Sequence, residues 1–187
     1  MSLDSADFTD GELAALALAG RQRAYTALMA RHREPIYRLV RGHVGDADEA
    51  LDVTQQAFVA AFAALKRYDP ARPFRVWLSR IAINKCHDWS RRRSVRRLFT
   101  FARPIDEGAE VAEEAVPADE ALAGAQQLDK VMRAIARLPD NLKEPLILRT
   151  IDDLSQAETA EVLGISAKAV ETRLYRARAR LAEMLRD

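Results

Sequence analysis

At 187 residues, 49% hydrophobic and 30% charged, the chain fits one or two small soluble domains, each burying a modest core. Its formal charge of +1 is a cancellation of blocks: residues 1–103 carry net +7, residues 104–125 net −7 and residues 126–187 net +1, as two nucleic-acid-facing modules on a tether would. The single cysteine, Cys86, excludes an internal disulfide, no apolar run approaches the ~20 residues of a membrane span, and no phosphate-binding glycine loop, nucleophile elbow or convergent carboxylate pair supports an enzyme. Cys86 is expected as a small buried hydrophobe, and no Cys/His spacing builds a zinc site, so no metal or cofactor is expected. The acidic start MSLDSADFTDGE has no secretory pattern, which makes a reducing cytoplasm the expected compartment.

In chain order, Thr9 with Glu12 is a capping-box pattern ahead of LAALALA, and Gly20 closes that short helix. A second helix starts near Arg21, with Tyr25, Leu28, Met29, Ile36, Tyr37, Leu39 and Val40 apolar on both sides of Pro35. The proline predicts a kink, with a break into two helices as the alternative. Gly45 and Asp46 make a turn, and Asp46 with Glu49 repeats the capping box before a helix to about Ala64. Its buried stripe is expected at Leu51, Phe58, Ala61, Phe62 and Leu65. Asp52, Gln55 and Gln56 share the other side, where a solvated face explains them equally well. Tyr68 to Pro73 is a loop, because each proline pushes the residue before it out of helix.

The loop leads into FRVWLSRIAINKCHDWSRRRSVRR, Phe74 to Arg97, where a strong helical stripe meets a dense basic run. At about 100° per residue, Phe74, Trp77, Leu78, Ile81, Ala82 and Trp89 fall on one buried side. Arg80, Asn84, His87 and Arg91 line the flank, and the helix runs on into Arg92, Arg93, Arg96 and Arg97. Such a face is often merely solvated, and arginines near a helix C-terminus are favoured by the macrodipole. The amide shifts the balance. Arginine holds phosphates at any sequence, whereas Asn84 can pair with the edge of a base.

Residues 104–125 carry seven acids and no base, and too few large apolar side chains for a core, so they should be extended and mobile. Order resumes near Gln126, where Leu128, Val131, Met132, Ile135 and Leu138 form a stripe ending at Pro139. Asp140 is expected to cap a helix with Leu142, Leu146, Ile147 and Ile151 in its core and Pro145 in its early turns. Ser155 with Glu158 then caps a short helix, Gly164 allows a tight turn, and Ser166 caps a helix from Ala167 to about Leu185. This is helix-turn-helix spacing, with Leu154, Ala160, Leu163, Ile165, Val170 and Leu174 inside and Lys168, Thr172, Arg173 and Arg176 outward. A plain helical hairpin is the alternative; the glycine turn, the small Ala160 and the cationic second helix favour a helix lying in the major groove. The expected fold class is all-α: two small helical domains, residues 1–98 and 125–187, joined by a flexible acidic linker, residues 99–124, with no evident lock between them.

These motifs, in this order, resemble the extracytoplasmic-function sigma factors of bacterial RNA polymerase, the smallest branch of the sigma-70 family, and the resemblance covers nearly the whole chain. DVTQQAFVAAFAAL resembles the segment that grips the β′ clamp. FRVWLSRIAINKCHDWSRRR resembles the segment that melts and reads the minus-ten element, and LSQAETAEVLGISAKAVETRLYRARARL the minus-thirty-five reader. The resemblance implies a region 2 bundle and a region 4 helix-turn-helix that direct promoter-specific initiation without a catalytic site. The implied partners are core RNA polymerase, through its β′ clamp and β subunits, promoter DNA and an anti-sigma factor, with no direct membrane insertion.

Residue by residue, the resemblance assigns core-polymerase binding to Asp52, Val53, Gln55, Gln56 and Phe58, with Gln56 standing where the family usually has an acid. Minus-ten binding falls on Tyr68, Arg80, Asn84, His87, Arg91, Arg92 and Arg93, with Asn84 capturing a flipped base and Tyr68 helping to hold the opened strand. An unstacked base needs such edge bonds and such a surface. Minus-thirty-five binding falls on Lys168, Glu171, Thr172, Arg173 and Arg176, with Glu171 standing where a basic residue is common. The alternative is a sigma-like decoy that sequesters an anti-sigma factor and starts no transcription. An ordinary helix-turn-helix repressor leaves Asp52 to Phe58 and the linker unexplained.

Overall fold

The computed structural model describes residues 8–101 and 120–186, as backbone only at 97–101 and 120–125. Among them are eight α-helices, one 3-10 turn at Leu65–Arg67 and no strand. The acidic linker expected at 99–124 lies mostly outside the described residues; helix enters it from both sides, to Phe101 and from Glu120. No helix among the described residues is long and apolar enough to cross a membrane.

The first domain is built around α2 (Gln22–Val44), which runs unbroken through Pro35 and packs against α1 (Asp10–Leu18), α3 (Ala47–Ala63) and α4 (Phe74–Phe101). Leu28, Ile36, Leu39 and Leu78 are wholly buried there. The capping box of α1 forms: Thr9 N–H donates to the Glu12 carboxylate at 2.7 Å, and Glu12 N–H to the Thr9 hydroxyl at 3.3 Å. Across to α2, Asp10 takes Arg31 at 2.9 Å and His32 at 2.8 Å. The His32 hydrogen bond, helped by Arg31, holds the Asp10 carboxyl below its ordinary pKa against the opposing effect of burial.

Only half of the second expected capping box forms. Asp46 accepts from Glu49 N–H at 2.9 Å, but the Glu49 carboxylate turns away to accept from Trp89 Nε1 on α4. An indole N–H at a packed helix crossing needs a protein acceptor, whereas an exposed helix start can turn to water. The stripe of α3 also sits one step round from expectation. Ala50, Val53, Thr54, Ala57, Phe58 and Ala61 are buried at helical spacing, and Leu51 is left 58% exposed.

The second domain comprises α5 (Glu120–Ala136), α6 (Asp140–Thr150), α7 (Gln156–Leu163) and α8 (Ala167–Met184). Asp140 does not cap α6. Pro139 takes that position, and Asp140 instead pairs with Lys143 at 3.0 Å within the first turn. Pro145 is accommodated inside α6. The capping box of α7 forms at Ser155 and Glu158, and Ser166 accepts from Ala169 N–H at 3.1 Å to start α8.

The expected absence of a lock between the domains is corrected by the structure: both contribute to one continuous hydrophobic cluster. The C-terminal half of α2 supplies part of the contact. A Cβ on Gly42 would lie 3.2 Å from Ile147 of α6 and 3.3 Å from Ile151 at its C-terminal cap, so a larger residue would push these side chains back by a few tenths of an ångström. Gly45, left-handed at φ +84°, caps α2 beside Ala136. Lys143, 5% exposed, donates to the carbonyls of Ala136 at 3.2 Å and His43 at 3.4 Å, placing one cation at the C-terminal ends of both α5 and α2.

The other part of the contact is a second apolar row on α4. Val76, Ser79, Ile83 and Cys86 are all buried and follow helical spacing on the side away from Trp77 and Trp89. Ser79 donates to Asp152 at 3.1 Å, beside Arg75, which reaches the same carboxylate at 2.6 Å. Cys86 is wholly buried, and burial pushes its thiol well above the ordinary range.

Gly45→Ala should expose this packing. A Cβ there would sit 2.7 Å from the Cβ of Ala136 and would hold a left-handed backbone. Left-handed strain and overpacking together should lower stability by about 2–4 kcal/mol, seen as a reduced urea midpoint. An unchanged midpoint would mean that α2 and α5 do not meet as described.

Candidate nucleic-acid and partner surfaces

Along α4, Arg80, Asn84 and Arg91 to Arg93 are exposed and His87 is half-buried. The arginines are held by local partners. Arg91 pairs with Asp88, keeping that carboxyl below its usual pKa; Arg92 reaches Gln56 at 3.5 Å; Arg93 stacks 5.1 Å over the Trp89 ring. Trp89, tied to Glu49, thus fixes both the α3–α4 crossing and one arginine above it. Cations organised in this way suit a polyanion, and an exposed amide among them can meet a base edge.

The second domain borders this flank. The α7 side chains Glu161 and Val162 share a small crevice with Arg80 and Trp77, Arg72 reaches Glu161 at 2.8 Å, and His87 Nε2 is hydrogen-bonded to Glu144 of α6. Asn84 remains exposed between these contacts.

Tyr68 is only 9% exposed. Its ring packs edge-on to Phe74 at 5.1 Å and tilted to Trp77 at 5.3 Å, and its hydroxyl donates to the Arg72 carbonyl at 2.7 Å, closing the loop. Burial raises its pKa. A base could stack on this ring only after the loop shifts.

On α3, Asp52, Gln55 and Gln56 are exposed, whereas Val53 and Phe58 are buried at 1% and 3% and support the surface from beneath. Beside them lies a groove of about 480 Å³ between α2 and α3, lined by Met29, Tyr37, Leu51, Phe58, Val59 and Phe62. Leu51, Val59 and Met29 are among the large apolar side chains left open to solvent. This groove was missed from sequence because Leu51 was assigned inward.

In the second domain, α7 and α8 flank the turn at Gly164, and Gln156 Nε2 ties their starts together by donating to the Ala167 carbonyl at 2.7 Å. Lys168, Glu171, Thr172 and Arg176 are exposed and Arg173 is half-buried. Glu171 pairs with Lys168 at 2.9 Å, and Thr172 donates back to the Lys168 carbonyl at 3.0 Å. Tyr175, 78% exposed on the same face, was missed; its spacing of three and four residues from Thr172 and Glu171 was the available signal.

The family model described as Sigma-70 region 2 matches residues 28–96, and that described as Sigma-70, region 4 matches residues 128–181. The chain is 38% identical over 179 residues to the RNA polymerase sigma factor CnrH of Cupriavidus metallidurans, covering 94% of each. It is 33% identical to the ECF RNA polymerase sigma factor SigM of Mycobacterium tuberculosis, covering 95% of this chain and 85% of the relative. With SigW of Bacillus subtilis the identity is 30%, over 90% and 92%. Among solved structures it is similar to CnrH in complex with the cytosolic domain of CnrY, with a TM-score of 0.69, 37% identity and coverage of 94% of this chain and 96% of that one.

Proposed function

The chain belongs to the extracytoplasmic-function branch of the sigma-70 family, and from that premise we propose that it binds core RNA polymerase and directs promoter-specific initiation in the cytoplasm, with no catalytic site of its own. What carries this reading is the pairing on one chain of two DNA-facing helices: α4, with Asn84 exposed among arginines, and α8, with Thr172 and Arg176 exposed beyond the turn. In this reading Arg80, His87 and Arg91 to Arg93 hold minus-ten backbone, Asn84 takes a flipped base, and Tyr68 supports the opened strand once its loop moves. Lys168, Glu171, Thr172, Arg173 and Arg176 serve the minus-thirty-five element. Asp52, Gln55 and Gln56 meet the β′ clamp, positioned by buried Val53 and Phe58.

The two elements lie about 25 base pairs apart, which is about 85 Å of duplex at 3.4 Å per base pair. A compact body of ~160 residues has a radius of gyration near 15 Å, so it is about 40 Å across. The closed arrangement is too short to read both elements at once, and promoter engagement requires the domains to part. An anti-sigma factor that also occupies the apolar groove beside Asp52 to Phe58 would compete with polymerase and keep the chain silent. The solved relative CnrH is itself bound to the cytosolic domain of CnrY.

Run-off transcription with purified core polymerase on a set of promoter fragments tests the proposal. A start site specific to the added chain is expected; none above core alone, across several promoters, would make it a decoy. Within that assay Asn84→Ala should flatten preference at one minus-ten position, since a good bidentate base contact carries about 1–3 kcal/mol of discrimination. Equal weakening of every promoter by a folded Asn84→Ala protein would assign Asn84 to the backbone instead.

A further inference from the structure

Where α2, α4 and α6 converge, His43, His87, Asp140 and Glu144 bring one ligand atom each to within 4.8 Å of one another. His43 marks the place. Its side chain is wholly buried, and neither ring nitrogen makes a hydrogen bond; Nε2 lies 3.5 Å from Glu144 Oε1 and 3.8 Å from Asp140 Oδ1. His87 Nε2 reaches the same Glu144 oxygen from α4. A buried imidazole with Nδ1 unpartnered and Nε2 held only by long contacts to two carboxylates is costly, and such groups in native proteins have a partner.

We infer that this cluster is a binding site for a divalent transition-metal cation of the zinc type, held by His43 and His87 of the first domain and Glu144 and Asp140 of the second. Two imidazoles and two carboxylates make a borderline nitrogen–oxygen set that suits four-coordinate Zn²⁺. Lys143 is a neighbouring cation, 3.0 Å from Asp140. Its charge is directed at the carbonyls of Ala136 and His43 and is outnumbered by the two carboxylates, so a dication is not repelled. Asp140, 49% exposed and shared with Lys143, is the most replaceable ligand. Cys86, one residue before His87, is wholly buried and is not one of the four converging groups.

Because the ligands come from both domains, the cation staples them shut, and its binding free energy adds to closure. Binding does not depend on the proposed promoter role; only the consequence, restraint of the opening that promoter engagement needs, rests on it.

The test is titration of the full-length protein with Zn²⁺ by calorimetry, with Co²⁺ absorption as a probe of geometry and a pair of fluorophores, one on each domain, as a probe of separation. One site per chain and tetrahedral Co²⁺ bands are expected, and in the Arg75→Ala protein, whose domains part more readily, a shorter and narrower separation on adding Zn²⁺. Glu144→Gln and the partly exposed His87→Gln should each weaken binding about 100-fold or more, since even outer-shell losses cost 10–100-fold. Circular dichroism checks that both variants fold. No saturable single site, undiminished binding in both folded variants, or binding that leaves the separation unchanged in Arg75→Ala would each overturn the inference.

Discussion

Replacing Arg75 with alanine is expected to raise the open-to-closed ratio of the two domains by about two orders of magnitude. Asp152 is wholly buried, and Arg75 supplies its charge partner, with Nη2 at 2.6 Å and Nε at 3.2 Å from the same carboxylate oxygen and a further bond from Nη2 to the Asp152 carbonyl. Burial pushes the Asp152 carboxyl above its ordinary pKa, with Arg75 and Ser79 only partly offsetting it, so the charge is already held at a cost. Removing one partner of a buried pair costs about 3–5 kcal/mol if the other stays buried. Here the chain has an escape, because parting the domains returns Asp152 to water. The loss should therefore appear as opening rather than as unfolding of either domain. Hydrogen exchange should quicken in α6 and the turn after it while the α1–α3 core keeps its protection. Asp152→Asn, which removes the charge and keeps a polar side chain, should open the protein less. Equal exchange in Arg75→Ala and the parent would show that the pair does not hold the domains.

Phe74→Ala should have the largest effect on the fold itself. Phe74 is 1% exposed and packs against His32 at 5.1 Å, Tyr68 at 5.1 Å and Trp77 at 5.3 Å, so one ring joins α2, the loop and the start of α4. Truncating a buried phenylalanine costs about 3–5 kcal/mol, a large part of the total stability of a domain this size. The Tyr68 loop loses its backing at the same time, so melting of minus-ten DNA should fall even where the variant is held folded at low temperature. Phe74→Leu, which leaves a smaller void, should recover most of both. A Phe74→Ala protein as stable as the parent in urea would contradict the packing assigned to this ring.

How much was legible from the sequence depended on how far apart the interacting residues lie. Local signals gave the helices: the boxes at Thr9 and Ser155 formed because each is complete within four residues. The box at Asp46 was half right because Glu49 found a better use 40 residues away on Trp89. The apolar stripe of α4 was legible, with Phe74, Leu78 and Ala82 buried and Trp77, Ile81 and Trp89 packed against the core, but a helix buried on two sides has two rows, and Val76, Ser79, Ile83 and Cys86 were the second. That row, with Gly42, was the readable sign of a second packed face. Asp152 and Glu144 look like ordinary surface acids in the sequence, because only the fold brings Arg75 and His87 to them from 77 and 57 residues away. Of the surface side chains, Asn84 and the arginines are exposed as expected, whereas the burial of Tyr68 arises from its packing on Phe74 and Trp77.

In the proposed function one closed chain carries two promoter readers that must separate to work. The decisive measurement is fluorescence energy transfer between labels at exposed positions of α4 and α8, compared for the free protein and for its initiation complex with core polymerase and promoter DNA. High transfer is expected in the free protein and its near-complete loss in the complex, because the readers then sit on elements about 85 Å apart, at 3.4 Å per base pair. High transfer retained in a complex that initiates at a specific promoter would contradict it.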